Sequence, residues 1–178
     1  MNRVLSQRDF AGKHTSAHAR FLLGKYLVRR ERGRTISSMI TEVEAYGGPE
    51  DTASHAHRGK TKRNAVMFGS PGQWYVYLVY GMHYMVNVVT GPIDYPAAIL
   101  IRSVDTVSGP GRVARFFHVG GGMNNKPVSR SSGFYILDRG ITIPDAYIRR
   151  GGRIGVQYAS REWLEKPLRF FIIRGIDG

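Results

Sequence analysis

The sequence predicts an α+β domain built on a mainly antiparallel β-sheet with short helices at its periphery. Three observations lead there. Short runs of β-branched and aromatic residues recur along the chain between glycine-, proline- and asparagine-containing turns. Two pairs of these runs are joined by connections too short for a crossover helix, so hairpins outnumber any strand–helix–strand pattern. Finally, 178 residues hold one domain with a substantial core and fall short of two, which places all the strands in one unit spanning residues 1–178.

Each element follows from local chemistry. Ser16 is placed to cap a short helix through Ala17, Ala19, Phe21 and Leu22, where the apolar spacing stops before Gly24. Tyr26-Leu27-Val28 reads as a strand that turns at Glu31-Arg32-Gly33-Arg34 into a second strand, Ile36 to Ala45. Gly47-Gly48-Pro49 ends it, and the aperiodic polar segment from Glu50 to Asn64 has the length of loops that carry function. Trp74 to Tyr80 and Tyr84 to Val89 form a hairpin around Gly81-Met82-His83. Ala97 to Val104 makes another strand, Gly109-Pro110-Gly111 opens a helix across Val113 to Phe117, and Gly120 to Asn125 is expected as a flexible loop. Tyr135-Ile136-Leu137, Ile154-Gly155-Val156 and Leu168 to Ile173 complete the strands.

Composition narrows the partners. Lys and Arg number 26 against 13 Asp and Glu, a formal charge of +13 that draws polyanions. Anionic membranes and acidic proteins answer the same charge, but the ten tyrosines favour nucleic acid, because stacking on bases needs rings. The absence of cysteine excludes disulfides, thiol nucleophiles and cysteine-ligated metal centres. No signal-like stretch follows Met1-Asn2-Arg3 and no apolar run approaches the ~20 residues of a membrane span, so a cytoplasmic protein without a membrane partner is expected.

The densest chemistry lies between Glu42 and Asn87. A strand period of two puts Glu42, Glu44 and Tyr46 on one face, with Thr41, Val43 and Ala45 on the other. Most strand glutamates are merely solvated or ion-paired, but this end of the strand opens onto a loop rich in histidine, where sites collect. Two carboxylates on one face repel, and unless Arg or Lys lies near, one pKa rises; one could then act as a general base and the other as an ion-pair partner. His55-Ala56-His57 with Asp51 or His83 could in principle hold zinc, yet the spacing matches no familiar motif, and a stacking or hydrogen-bonding histidine without metal is the better reading. Tyr75, Tyr77, Tyr80 and Tyr84 suit a sheet core, although each buried hydroxyl would need a partner; Tyr80, at a strand tip beside Gly81, is placed to insert into something. Arg102 closes an apolar strand, either snorkelling to solvent or clamping a phosphate.

Taken together, these residues resemble the alkyladenine (3-methyladenine) DNA glycosylase family. The similarity runs through Leu22-Leu23-Gly24-Lys25, Thr41 to Tyr46, Gly48-Pro49-Glu50-Asp51, Ala53-Ser54-His55 and Arg63 to Phe68. It continues through Pro71-Gly72, Tyr75-Val76-Tyr77, Tyr80-Gly81-Met82, Asn87, Gly109-Pro110-Gly111 and Lys166 to Phe170, in one order over most of the chain. The resemblance implies a curved antiparallel sheet closing into a barrel like that of formyltransferase C-terminal domains. It implies a cofactor-free, metal-free monomer acting on duplex DNA that contains damaged purines, nucleoid-associated if bacterial. Glu44 would be the general base for the attacking water, Tyr46, His55 and Tyr77 the pocket around a flipped base, and Asn87 the group that rejects normal guanine. Tyr80 would wedge into the duplex, Met82 would contact DNA beside it, and Arg102 would contact phosphate. Arg112 stands where family members commonly carry lysine. The rings of Tyr46 and Tyr77 would favour a cationic alkylated base by ~1–2 kcal/mol in a desolvated pocket.

Two other readings stay open. A binding module without catalysis would keep the basic face but has no need of a carboxylate facing phosphates. A β-eliminating glycosylase would use Lys60 or Lys62 as a Schiff-base amine, but both sit in an exposed charge run, whereas such amines are desolvated or crowded by other cations.

Overall fold

The computed structural model describes residues 2–173. Its spine is β3 (Arg34–Gly47), which serves two halves of one sheet. The first half of β3 pairs with β2 (Tyr26–Glu31), and β2 in turn pairs with β7 (Phe134–Asp138), whose far side takes β1 (Arg3–Val4). Its second half pairs on one side with β6 (Ala97–Val104) and on the other with β9 (Arg169–Ile172). Beyond β6 lie β5 (His83–Val89) and β4 (Trp74–Val79), and β8 (Ile148–Gly151) pairs with β9. Every one of these pairings is antiparallel, as the short turns predict.

The register with β6 shifts between Ile40 and Val43, so a bulge marks the point where β3 exchanges neighbours. Bulges bend a strand and raise its twist, and here the bend delivers Glu42 and Glu44 to the second half of the sheet. β1 and β4 stand at the two ends of the main path and no pairing joins them among the described residues, so the expected closure into a barrel is not seen.

Alternation fixes which face is core. Val43 and Ala45 are enclosed with Ile99, Ile101 and Phe170. Trp74 lies against Phe134 with ring centroids 4.3 Å apart and donates its indole N–H to the Phe134 carbonyl at 2.9 Å, which satisfies its one polar atom. Large apolar side chains buried in this way contribute roughly 1.5–3 kcal/mol each.

Three expectations are corrected. The first helix, α1 (Thr15–Leu22), begins one residue before Ser16, with His14 at its cap position. The Gly120–Asn125 loop is tied down: Gly121–Met123 forms a short 3-10 turn, Asn124 Oδ1 accepts the Val76 N–H at 3.0 Å, and Asn125 N–H reaches the Trp74 carbonyl at 2.8 Å. Glycine content signalled conformational freedom, but the hydrogen bonds to Trp74 and Val76 of β4 hold the segment, with Gly120 and Gly121 beside the Tyr84 ring. Ile154-Gly155-Val156 is a turn, because Gly155 adopts φ 80° and the Ile154 N–H points at a side chain instead of a neighbouring strand. The helix expected after Gly109 is present as α2 (Pro110–Phe116), with proline in its first turn. A third helix, α3 (Arg161–Glu165), follows the Ile154 turn.

Candidate active site

β3, β4, β5 and β6, with the loops after β3 and β8, enclose a cavity of about 630 Å³. Tyr46, His55, Tyr75, Tyr77, Tyr80, Asn87 and Arg102 all line it, whereas Glu42, Glu44, His57, His83 and Tyr84 do not. Met82 stands just outside, at 69% exposure on the same hairpin as Tyr80.

Glu44 lies behind this wall with no exposed surface of its own. Its Oε2 accepts the Tyr46 hydroxyl at 2.8 Å, its Oε1 accepts the Ile154 N–H at 2.8 Å, and the Arg102 guanidinium stands 3.2 Å from Oε1. A buried carboxylate needs such partners, and here they come from β3, the Ile154 turn and β6 together. Three of its neighbours, Tyr46, Arg102 and Ile154, line the cavity and separate it from the carboxylate. Burial, followed by the charge and hydrogen bond of Glu44, pushes the Tyr46 hydroxyl well above its ordinary pKa, so it remains a donor.

The two glutamates divide as their surroundings dictate. Glu42 accepts the Ser103 hydroxyl at 2.6 Å and the Arg169 guanidinium at 2.9 Å, and Arg102 lies 3.4 Å away. Burial pushes its carboxyl up, but Ser103, Arg169 and Arg102 outweigh that and hold it below the usual range. The mutual repulsion expected of paired carboxylates is thus answered by cations: Arg102 pairs with both glutamates, and Arg169 pairs with Glu42 in addition. Arg102 neither snorkels nor points outward: only 12% of its side chain is exposed, and it spans both carboxylates.

The histidine loop is shaped by hydrogen bonds, and among the described residues no group of three potential ligands could hold a metal. His55 Nδ1 lies 3.1 Å from the Tyr75 hydroxyl, and its ring meets Tyr77 edge-on at 4.6 Å between centroids. Crowding lowers the His55 pKa and the Arg63 charge lowers it further, which favours a neutral ring. His57 is bound to the Pro49 carbonyl at 2.9 Å, and Asp51 is wholly engaged by Arg153 and by the Gly47 and Ala53 N–H groups. Arg153 also donates to the Ala45 carbonyl and lies 4.6 Å from the centre of the Tyr46 ring. It holds both the back of Tyr46 and the start of the turn that presents Ile154. Nothing distinguished Arg153 among Arg149, Arg150 and Arg153 in sequence; only the fold reveals its role.

The hairpin between β4 and β5 turns at Tyr80-Gly81, one position earlier than expected, with φ of 51° and 69° and Met82 N–H reaching the Val79 carbonyl at 3.1 Å. Three residues, Tyr80 to Met82, connect the strands, and positive φ at both central residues of the Val79–Met82 turn suits the right-handed twist of the flanking strands. Glycine takes that conformation freely, whereas a tyrosine there is strained by about 1–3 kcal/mol. The strained Tyr80 is also 89% exposed, so the turn displays a ring to solvent at the cavity mouth. Asn87, almost fully buried, donates Nδ2 to the Tyr75 carbonyl at 3.1 Å, which fixes its amide against the cavity wall. Lys60 and Lys62 are exposed, as the charge run predicts.

The arrangement offers an enclosed carboxylate, a ring-lined cavity sized for a heterocycle, and a protruding aromatic beside its mouth. Comparison with known proteins agrees in kind. Residues 9–108 match the family described as methylpurine-DNA glycosylase. A protein of Legionella pneumophila (strain Corby), provisionally named a 3-methyladenine DNA glycosylase, is 40% identical over 172 residues, covering 93% of this chain and 92% of the relative. Proteins with the same provisional name from Anaeromyxobacter dehalogenans (strain 2CP-C) and Ehrlichia ruminantium (strain Gardel) are 39% and 43% identical, over 90% and 78% of this chain and 80% and 76% of their own lengths.

Proposed function

The chain belongs to the methylpurine-DNA glycosylase family, and we propose that it acts as one domain on duplex DNA, swinging a damaged purine into the cavity and hydrolysing its N-glycosidic bond. The observation that carries this reading is the placement of Glu44, a carboxylate fixed by three partners directly behind the rings of an aromatic cavity. A base cannot react inside the stack, and extruding it costs a few kcal/mol, less when it is damaged. Tyr80 replaces the lost stacking, with Met82 against the neighbouring backbone. The extruded base rests among Tyr46, Tyr77 and His55, and the fixed amide of Asn87 obstructs the exocyclic amino group that marks normal guanine.

Water attacks C1′ of the sugar as the bond to the base nitrogen breaks and the electron pair leaves with the base. Glu44 accepts the proton of that water and its charge stabilises the oxocarbenium-like sugar. Because Tyr46, Arg102 and Ile154 close Glu44 off from the cavity, delivery of the water requires one of them to shift as the nucleotide enters. Arg102 offsets the charge of both glutamates, and a backbone phosphate above the cavity wall would share its guanidinium. No helix among the described residues is long and apolar enough to cross a membrane, and the +13 charge suits a polyanion. Incubation with duplex oligonucleotides carrying one lesion each, followed by alkali, tests the reading: strand cleavage at a lesion supports it, and intact strands across alkylated and deaminated purines would refute it.

A further inference from the structure

We propose that Arg63 makes the cavity select uncharged damaged purines over those carrying a fixed positive charge; this rests on the glycosylase reading above. Both rings expected to attract a cationic base already have an arginine on one face. Arg153 lies 4.6 Å from the centre of Tyr46, and Arg63 lies 5.4 Å from the centre of Tyr77. The quadrupole of each ring is therefore already engaged by a cation belonging to the protein.

The charges around the cavity are not all balanced. Asp51 is matched by Arg153, and Glu42 and Glu44 are matched by Arg102 and Arg169. Arg63 lines the cavity without a carboxylate: its hydrogen bond among the described residues goes to the Leu78 carbonyl at 3.0 Å. Its field reaches three groups of the wall, His55, Tyr75 and Tyr77, while Arg153 acts on Tyr46. Burial is the largest influence on those three, lowering His55 and raising Tyr75 and Tyr77; Arg63 acts downward on each, and Tyr75 stands at about 12 with both effects included. The wall thus presents rings, a histidine that resists protonation, and one unmatched guanidinium. In the free chain Arg63 is exposed, so water screens it; a duplex lying over the mouth would remove some of that water and strengthen its effect.

The same charge acts in the bond-breaking step. When an uncharged purine leaves, the electron pair of the broken bond makes it an anion until solvent supplies a proton, and a guanidinium in the wall stabilises that developing charge. A base with a fixed positive charge leaves as a neutral molecule, so Arg63 opposes its binding and gives its departure no comparable help. Both effects favour the uncharged base.

The test compares single-turnover release of hypoxanthine, which is uncharged, with that of 7-methylguanine, which is cationic, from otherwise identical duplexes. For Arg63→Gln the ratio of hypoxanthine to 7-methylguanine release should fall by about tenfold relative to wild type. Arg63→Lys, which keeps the charge, should hold the ratio within about threefold of wild type. Equal loss of both activities in Arg63→Gln, with the ratio unmoved, would overturn the inference and leave Arg63 as a DNA contact alone. Ratios that fall together in both variants would also overturn it, because geometry and not charge would then be responsible. Release of neither lesion by wild type would instead bring down the glycosylase reading and this inference with it.

Discussion

Arg153 and Asp51, 102 positions apart, form a pair in which neither side chain is exposed, with Arg153 Nη1 2.6 Å from Asp51 Oδ2 and Nη2 2.8 Å from Oδ1. The pair fastens the turn after β8 to the loop after β3, and so holds the Ile154 N–H on Glu44 and the guanidinium behind Tyr46. Removing one partner strands the other charge away from water. Arg153→Met should therefore lower stability by about 3–5 kcal/mol in urea denaturation. A loss below 1 kcal/mol would mean that the pair does not fasten the two loops.

Glu42 gives the stability a definite pH dependence. Its carboxyl is held below the ordinary value of 4.5, so the unfolded chain takes up its proton first as pH falls. The stabilisation is complete above about pH 4.5 and disappears as pH drops through the lower folded value. Thermal melts of Glu42→Gln should therefore lie below wild type at pH 7 and converge with it toward pH 3. Parallel curves across that window would remove Glu42 from the linkage.

Tyr80 is strained and exposed in the free protein, and the proposed wedge role assigns its ring to the DNA stack. Tyr80→Ser should weaken binding to a lesion duplex by ~1–3 kcal/mol and lower the flipped fraction, read by fluorescence of a reporter base beside the lesion. Undiminished flipping would assign the wedge to another residue, with Met82 the next exposed apolar group on the hairpin.

Strand periodicity made much of this legible. The hairpins, the shared face of Glu42, Glu44 and Tyr46, and the exposed tip at Tyr80 all follow from alternation and turn chemistry, which act over a few residues. What stayed hidden depends on contacts between distant segments. Arg153 reads like its neighbouring arginines until the fold buries it against Asp51, and Arg102 reads like a surface cation until β6 sets it between two carboxylates. The Ile154 turn resembled a strand because its apolar residues alternate around a glycine; a backbone N–H directed at Glu44 leaves no trace in side-chain pattern. Likewise, the attraction of the rings for a cationic base depends on what lies behind each ring, and the arginines behind Tyr46 and beside Tyr77 come from elsewhere in the chain.

In the proposed mechanism Glu44 performs the chemistry while the rings and basic surface perform the binding. Single-turnover base release by Glu44→Gln, measured beside its affinity for the same lesion duplex, tests it most directly. Release should be slower by about 10²–10⁴-fold, with affinity within about threefold of wild type and a much smaller loss of release in Glu42→Gln. Release at the wild-type rate by Glu44→Gln, in a protein that melts as wild type does, would contradict it.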